Sequence, residues 1–242
     1  VCMDPANFDW GQFTRQALYK ALLEHTAILG HEQILIRDFQ KCLRKFFKPY
    51  PIRVKNTRNK KVTANKVFVG GGYFSDDDYD GLKPIEIEFN FCPKETHIDI
   101  DETNWSNICL LITDVVLHEI IHLKQYRARK FKTKIGYASQ AEDPDQREQQ
   151  EYLGDQDEID AYAFNLACEL WDKFGDDLLQ SQLWLDSDLW FEDSKSQFYH
   201  YMLAFDGDHT HPIIVKLKRK TLAYLPNIDI DKPFRTRRYL TY

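Results

Sequence analysis

Residues 104 to 129 read as one long helix, and they set the strongest limit on how this chain folds. Ile108-Cys109-Leu110-Leu111-Ile112 and then Val115-Val116-Leu117 make the helix apolar on several faces. A helix apolar all round belongs in the middle of a core. Yet this one continues directly into His118-Glu119-Ile120-Ile121-His122. Imidazoles and a carboxylate on a buried helix are costly unless they are paired or coordinated. The fold must therefore surround this helix and also supply partners for its three polar side chains.

The rest of the chain offers enough material to do so. It has 242 residues, 14% of them aromatic, with 10 Gly and 9 Pro, which suits one packed domain over residues 1–242. Residues 1–50 are expected to form an N-terminal helical part, 51–174 a catalytic core, and 175–242 a helical part with a basic tail. Phe13, Ala17, Leu18 and Leu22 keep helical spacing, as do Ile34, Phe39, Cys42, Leu43 and Phe46, with Gly30 as a break between them. Ile52-Arg53-Val54-Lys55, Lys66-Val67-Phe68-Val69, Ile85 to Phe91 and Thr96 to Ile100 read as strands. The four odd positions of the third, Ile85, Ile87, Phe89 and Phe91, share one face. Gly70-Gly71-Gly72 suits a bend or a close backbone approach. Residues 141–160 are acidic and polar and read as a loop. Glu158 to Phe174 reads as a helix ended by Gly175, and 178–206 as helical with many aromatics. The expected class is α+β: N-terminal helices, a small twisted mixed sheet with an edge strand, a central helix beneath it, and a helical C-terminal part.

Two histidines four apart on a helix lie about 40° apart around its axis and ~6 Å along it. His118 and His122 can thus hold one ion from a single face, while Glu119 falls beside the ion, where a general base for an attacking water belongs. Zinc is the expected cofactor. A catalytic zinc needs a third protein ligand and one open position. Glu158, in Asp157-Glu158-Ile159-Asp160-Ala161-Tyr162-Ala163, is the best candidate, with Asp160 its nearest competitor. The small Ala161, Ala163 and Ala167 permit a close helix approach. His209 and His211, a His-x-His pair, also compete for the third position.

His118-Glu119-Ile120-Ile121-His122 followed by Glu158-Ile159-Asp160-Ala161 resembles the gluzincin metallopeptidases, in particular the minimal ones with a Glu-x-x-Ala pattern on the second helix. The likeness covers mainly residues 84–174. It implies a zincin-like fold, His118, His122 and Glu158 as zinc ligands, Glu119 as base, and an edge strand at Ile85 to Phe91 that binds an extended peptide. Many gluzincins carry an Asp four residues after the ligand Glu, where this chain has Tyr162; Asp160 or Asp114 is then expected to orient a histidine, or backbone carbonyls do so. Asp208-His209-Thr210-His211-Pro212 with Lys218-Arg219 is similar to the Thr-His-Pro…Arg segment of a second gluzincin branch, whose members usually carry membrane spans. That likeness implies His211 as an oxyanion stabiliser.

The expected activity is peptide-bond hydrolysis on a peptide or protein substrate. A rival reading makes the site a structural or vestigial zinc site in a binding or assembly protein, such as a phage particle component with virion or assembly partners; short soluble chains of this pattern look like those of tailed phages. A third is hydrolysis of a non-peptide amide. A net charge of −6 argues against a nucleic-acid partner. The run Ile108 to Leu117 is too short to span a bilayer, the first thirty residues lack an apolar signal core, and five widely spaced cysteines suit a reducing compartment. A cytoplasmic or virion-associated location is therefore expected. Tyr137, Tyr152 and Tyr162 are further candidates for oxyanion donors, though tyrosines in a Tyr-rich chain are more often packing residues. Asp76-Asp77-Asp78 with Asp80 lacks the pattern of a calcium loop. The basic runs Lys216–Lys220 and Arg235–Arg238 read as solvated faces.

Overall fold

A computed structural model describes residues 10, 14–25, 32–63, 66–73, 83–100, 102–130, 132 and 135–228. Gly30, the Asp76 to Asp80 segment and Arg235 to Arg238 lie outside these residues. The class is α+β, and two compact units divide the chain, one holding residues 1–131 and 230–242 and the other Lys132–Asp229.

In the first unit, helix α1 (Arg15–Leu23) is capped by Thr14, whose hydroxyl accepts from the Ala17 N–H. Strand β1 (Gln33–Leu35) runs straight into helix α2 (Ile36–Phe47). Strands β2 (Ile52–Arg58), β3 (Val67–Gly72) and β4 (Ile85–Phe91) form a mixed sheet in the order β2-β4-β3. Strand β5 (His97–Asp99) pairs antiparallel with β1, and helix α3 (Glu102–Ala128) follows.

Strand β4 is therefore the central strand, parallel to β2 and antiparallel to β3. This corrects the expectation of an edge strand at Ile85 to Phe91; the outer strands of this sheet are β2 and β3. The alternating apolar face is real, since Ile85, Ile87, Phe89 and Phe91 are all buried. The other face is covered too. Glu86 is buried, and its carboxylate takes Arg53 at 3.0 Å and Lys55, both from β2. The glycine triplet does not bend the chain but lies within β3, paired with β4 through Gly72↔Glu86.

Helix α3 packs on β3, β4 and α1. Trp105, Ile108, Cys109, Ile112, Val116, Ile120 and Leu123 are buried along it. Burial pushes the Cys109 thiol up to about 12, so it behaves as a small core residue. Asn104–Ala128 is long and apolar enough to cross a membrane by length and composition, longer than the run Ile108 to Leu117 suggested. It is 67% buried inside the fold, as a core helix is. Arg15 Nε meets Asp114 at 3.1 Å and the Tyr19 hydroxyl meets Ser106 at 2.8 Å, tying α1 to the start of α3.

Phe39 joins helix, sheet and α3. Its ring stands edge-on to Phe89 at 5.3 Å, to Trp105 at 6.2 Å and to Phe91 at 6.4 Å. Truncating Phe39 to Ala is expected to cost about 3–5 kcal/mol. A denaturant titration checks this, with exposed Phe68→Ala staying within about 0.5 kcal/mol of the parent.

The second unit is helical. Residues 141–160, expected as a loop, contain helix α4 (Pro144–Gly154). The Asp143 side chain accepts from the Gln146 N–H, and Pro144 occupies the first helical turn, where its missing N–H costs nothing. Helices α5 (Gln156–Phe174), α6 (Leu178–Asp186), α7 (Gln197–Ala204) and α8 (Pro212–Tyr224) follow, with a short 3-10 helix at Asp188–Glu192. Gly175 ends α5 with φ of +64°, a conformation that favours glycine. The lysines of α8 point to local partners: Lys218 to Asp186 at 2.9 Å, Lys220 to Asp160 at 2.6 Å, and Lys216 to Gln156. Two of the three contacts are ion pairs within the unit, Lys218–Asp186 and Lys220–Asp160.

Candidate metal centre

The central helix places His118, Glu119 and His122 in the buried part of the first unit. One helical turn separates the imidazoles, so their rings meet at 4.7 Å between centroids, and Nε2 of one lies 3.0 Å from Nε2 of the other. Two nitrogens bound to one tetrahedral zinc at ~2.0–2.1 Å lie roughly 3.3 Å apart. The pair thus needs a shift of only a few tenths of an ångström to share an ion. His122 is also held in a fitting tautomer. Its Nδ1 lies 3.0 Å from Gln125 Oε1, which can only accept, so Nδ1 carries the proton and the Nε2 lone pair remains for a ligand.

Gln125 was not among the expected site residues. Its place three residues after His122 on the same helix is the one signal that could have found it. Asp114, one of the two carboxylates expected to orient a histidine, meets Arg15 Nε at 3.1 Å. Replacing Gln125 with Leu is expected to weaken metal binding by about 10–100-fold, as loss of an outer partner of a ligating histidine usually does. Competition against a zinc chelator reads this out, and Gln125→Glu, which keeps the acceptor, is expected to stay near the parent.

Glu119 lies on the side of α3 that faces β3. A Cβ built on Gly71 would fall 2.9 Å from Glu119 Cγ and 3.0 Å from its Oε1. Gly71 therefore makes the close backbone approach that the glycine triplet suggested.

In the second unit, Glu158 stands in the first turn of α5, where Asp155 caps the helix by accepting from the Asp157 N–H at 2.8 Å. Nearby, the Tyr152 and Tyr162 hydroxyls lie 3.3 Å apart. Desolvation, then Tyr162 and Glu158, push the Tyr152 hydroxyl well above the ordinary tyrosine range, so it stays a neutral donor. Asp160 is engaged by Lys220 and by the Tyr224 hydroxyl at 3.1 Å, a lock between α5 and α8. The Tyr137 ring packs against Gly154, where an added Cβ would come within 2.3 Å of it.

His211 is the N-cap of α8: its Nδ1 accepts from the Ile213 N–H at 3.2 Å, and its ring packs 4.5 Å from that of Phe205. The proton of its neutral form then sits on Nε2. His209 receives Lys218 Nζ on Nδ1 at 2.8 Å and has Asp188 3.5 Å from Nε2.

Among the described residues, His118, His122 and Glu158 are the candidate ligands for a metal ion; His209, His211 and Asp160 are not among them. No family model, no curated protein and no solved structure matches this chain.

Proposed function

We propose that the protein is a zinc-dependent peptidase of the gluzincin type, with His118, His122 and Glu158 as metal ligands and Glu119 as general base. The observation that carries this reading is the pair of imidazoles one helical turn apart on α3, their Nε2 atoms 3.0 Å from one another; with Glu158 as third ligand, a vertex would be left for water and substrate. The His122 tautomer set by Gln125 supports it further. Zinc, when bound, polarises a carbonyl oxygen and lowers the pKa of water toward ~7.

The remaining work falls to side chains of this chain. Glu119 takes the proton of the attacking water on a carboxylate oxygen and delivers it to the leaving amine nitrogen. Gln125 keeps the His122 ring in place through Nδ1–H. His211, protonated on Nε2, is the proposed donor to the oxygen of the scissile carbonyl. As the outer strand packed on α3, β3 is the place where an extended peptide would align by strand addition.

The test is direct. The purified chain is expected to bind close to one zinc and to cleave members of a quenched-fluorescent peptide library, with cleavage lost to a chelator and restored by zinc. A chain that binds one zinc and cleaves no peptide would favour the non-catalytic reading.

A further inference from the structure

We propose that Gly71 is a positioning residue for Glu119: the absence of a side chain at this one point of β3 sets where the Glu119 carboxylate sits. The inference rests on the reading of Glu119 as the base. It starts from the packing of α3 against β3, which brings the strand backbone onto the helix face that carries Val115 and Glu119, one turn apart. A methyl at position 71 would stand 2.5 Å from Val115 Cγ1, 2.9 Å from Glu119 Cγ and 3.0 Å from Glu119 Oε1. Carbon atoms in contact keep about 3.5–4.0 Å. Neither helix side chain can yield freely. Val115 is β-branched and stiff at χ1, and Cγ of Glu119 is an inner atom, so moving it swings the whole carboxylate.

The neighbouring glycine provides the contrast. A methyl on Gly70 would meet only Phe68 Cε1, at an ordinary 3.5 Å. The triplet is thus not uniformly small for the sake of the strand; the steric demand at Gly71 comes from Val115 and Glu119. A general base works only within hydrogen-bond reach of the proton it takes. A shift of about 1 Å in such a group can cost on the order of 10²-fold in rate.

Two measurements on the full chain test this. In the first, Gly71→Ala and Gly71→Ala with Val115→Ala are assayed on the quenched-fluorescent peptides, with zinc content checked. The expected result is that Gly71→Ala lowers kcat by about 10²-fold with zinc retained, and that adding Val115→Ala does not restore kcat. Parent-like kcat for Gly71→Ala, or full restoration by Val115→Ala, would overturn the proposal, the latter because only helix–strand spacing would then be at stake. The second measurement needs no activity. Melting temperatures of the metal-free chain are compared for Gly71→Ala alone and in a Glu119→Ala background. Overlap of this kind is expected to lower the melting temperature by about 5 °C in the parent and distinctly less once Glu119 is cut back. Equal losses in both backgrounds would overturn the proposal. If Gly71→Ala does not fold, the double variant with Val115→Ala, which removes the closest clash, carries both arms. A parent that cleaves no peptide sinks the peptidase reading alone, since the melting cycle still decides whether Gly71 sets Glu119.

Discussion

Glu119→Gln is expected to keep the metal and lose the reaction. The amide has the same shape as the carboxylate and fits beside Gly71 as the parent side chain does, but it cannot take a proton. Removing a positioned general base typically costs 10²–10⁴-fold, so kcat is expected to fall by about that factor. Zinc content and KM are expected to hold near the parent values, because His118, His122 and Glu158 are untouched. Steady-state kinetics with parallel metal analysis separates the two effects. Undiminished turnover in this variant would remove Glu119 from the mechanism.

Glu158→Ala is expected to act at the opposite end, on the ion. With one of three protein ligands gone, zinc affinity is expected to drop by more than the roughly 10–100-fold that an outer partner costs. Activity falls with it at limiting zinc. Asp160→Asn is the control for this helix. Asp160 is held by Lys220 and Tyr224, so its replacement is expected to loosen α5 against α8 and lower the melting temperature while leaving zinc affinity alone. Glu158→Ala with parent-like zinc affinity would send the search for the third ligand elsewhere.

Much of the architecture could be read before the structure. The apolar faces of α3, the alternation along β4 and the positive φ at Gly175 each leave a local mark that depends on a few neighbouring residues. So does the spacing of His118 and His122, which a single helical turn turns into a contact between two rings. The close approach at Gly71 was visible as a run of glycines, although what it approaches was not. Four features lay beyond such reading, each for its own reason. Helix α4 buries only Gln150, Leu153 and Gly154 in a polar sequence, so it shows no apolar face; its one clear mark was the Asp143-Pro144 start. The central position of β4 depends on β2, which returns from far along the chain to pair with it and neutralise Glu86. Strand β1 is three residues long, too short to show a period, and Ile34 reads with the helix that follows, although its partner β5 is expected at Thr96 to Ile100. Gln125 carries no charge and belongs to no motif, so beyond its spacing nothing local marks it as the acceptor for His122 Nδ1, one turn away.

X-ray absorption at the zinc edge of the loaded protein tests the central claim most directly. The ion is expected to see two imidazole nitrogens and carboxylate or water oxygen, all at ~2.0–2.2 Å, with the second imidazole lost in His122→Ala. The described cysteines, Cys42, Cys92, Cys109 and Cys168, form no disulfide with one another. A sulfur shell at ~2.3 Å, or a spectrum unchanged by His122→Ala, would mean that the ion sits elsewhere and would contradict the account.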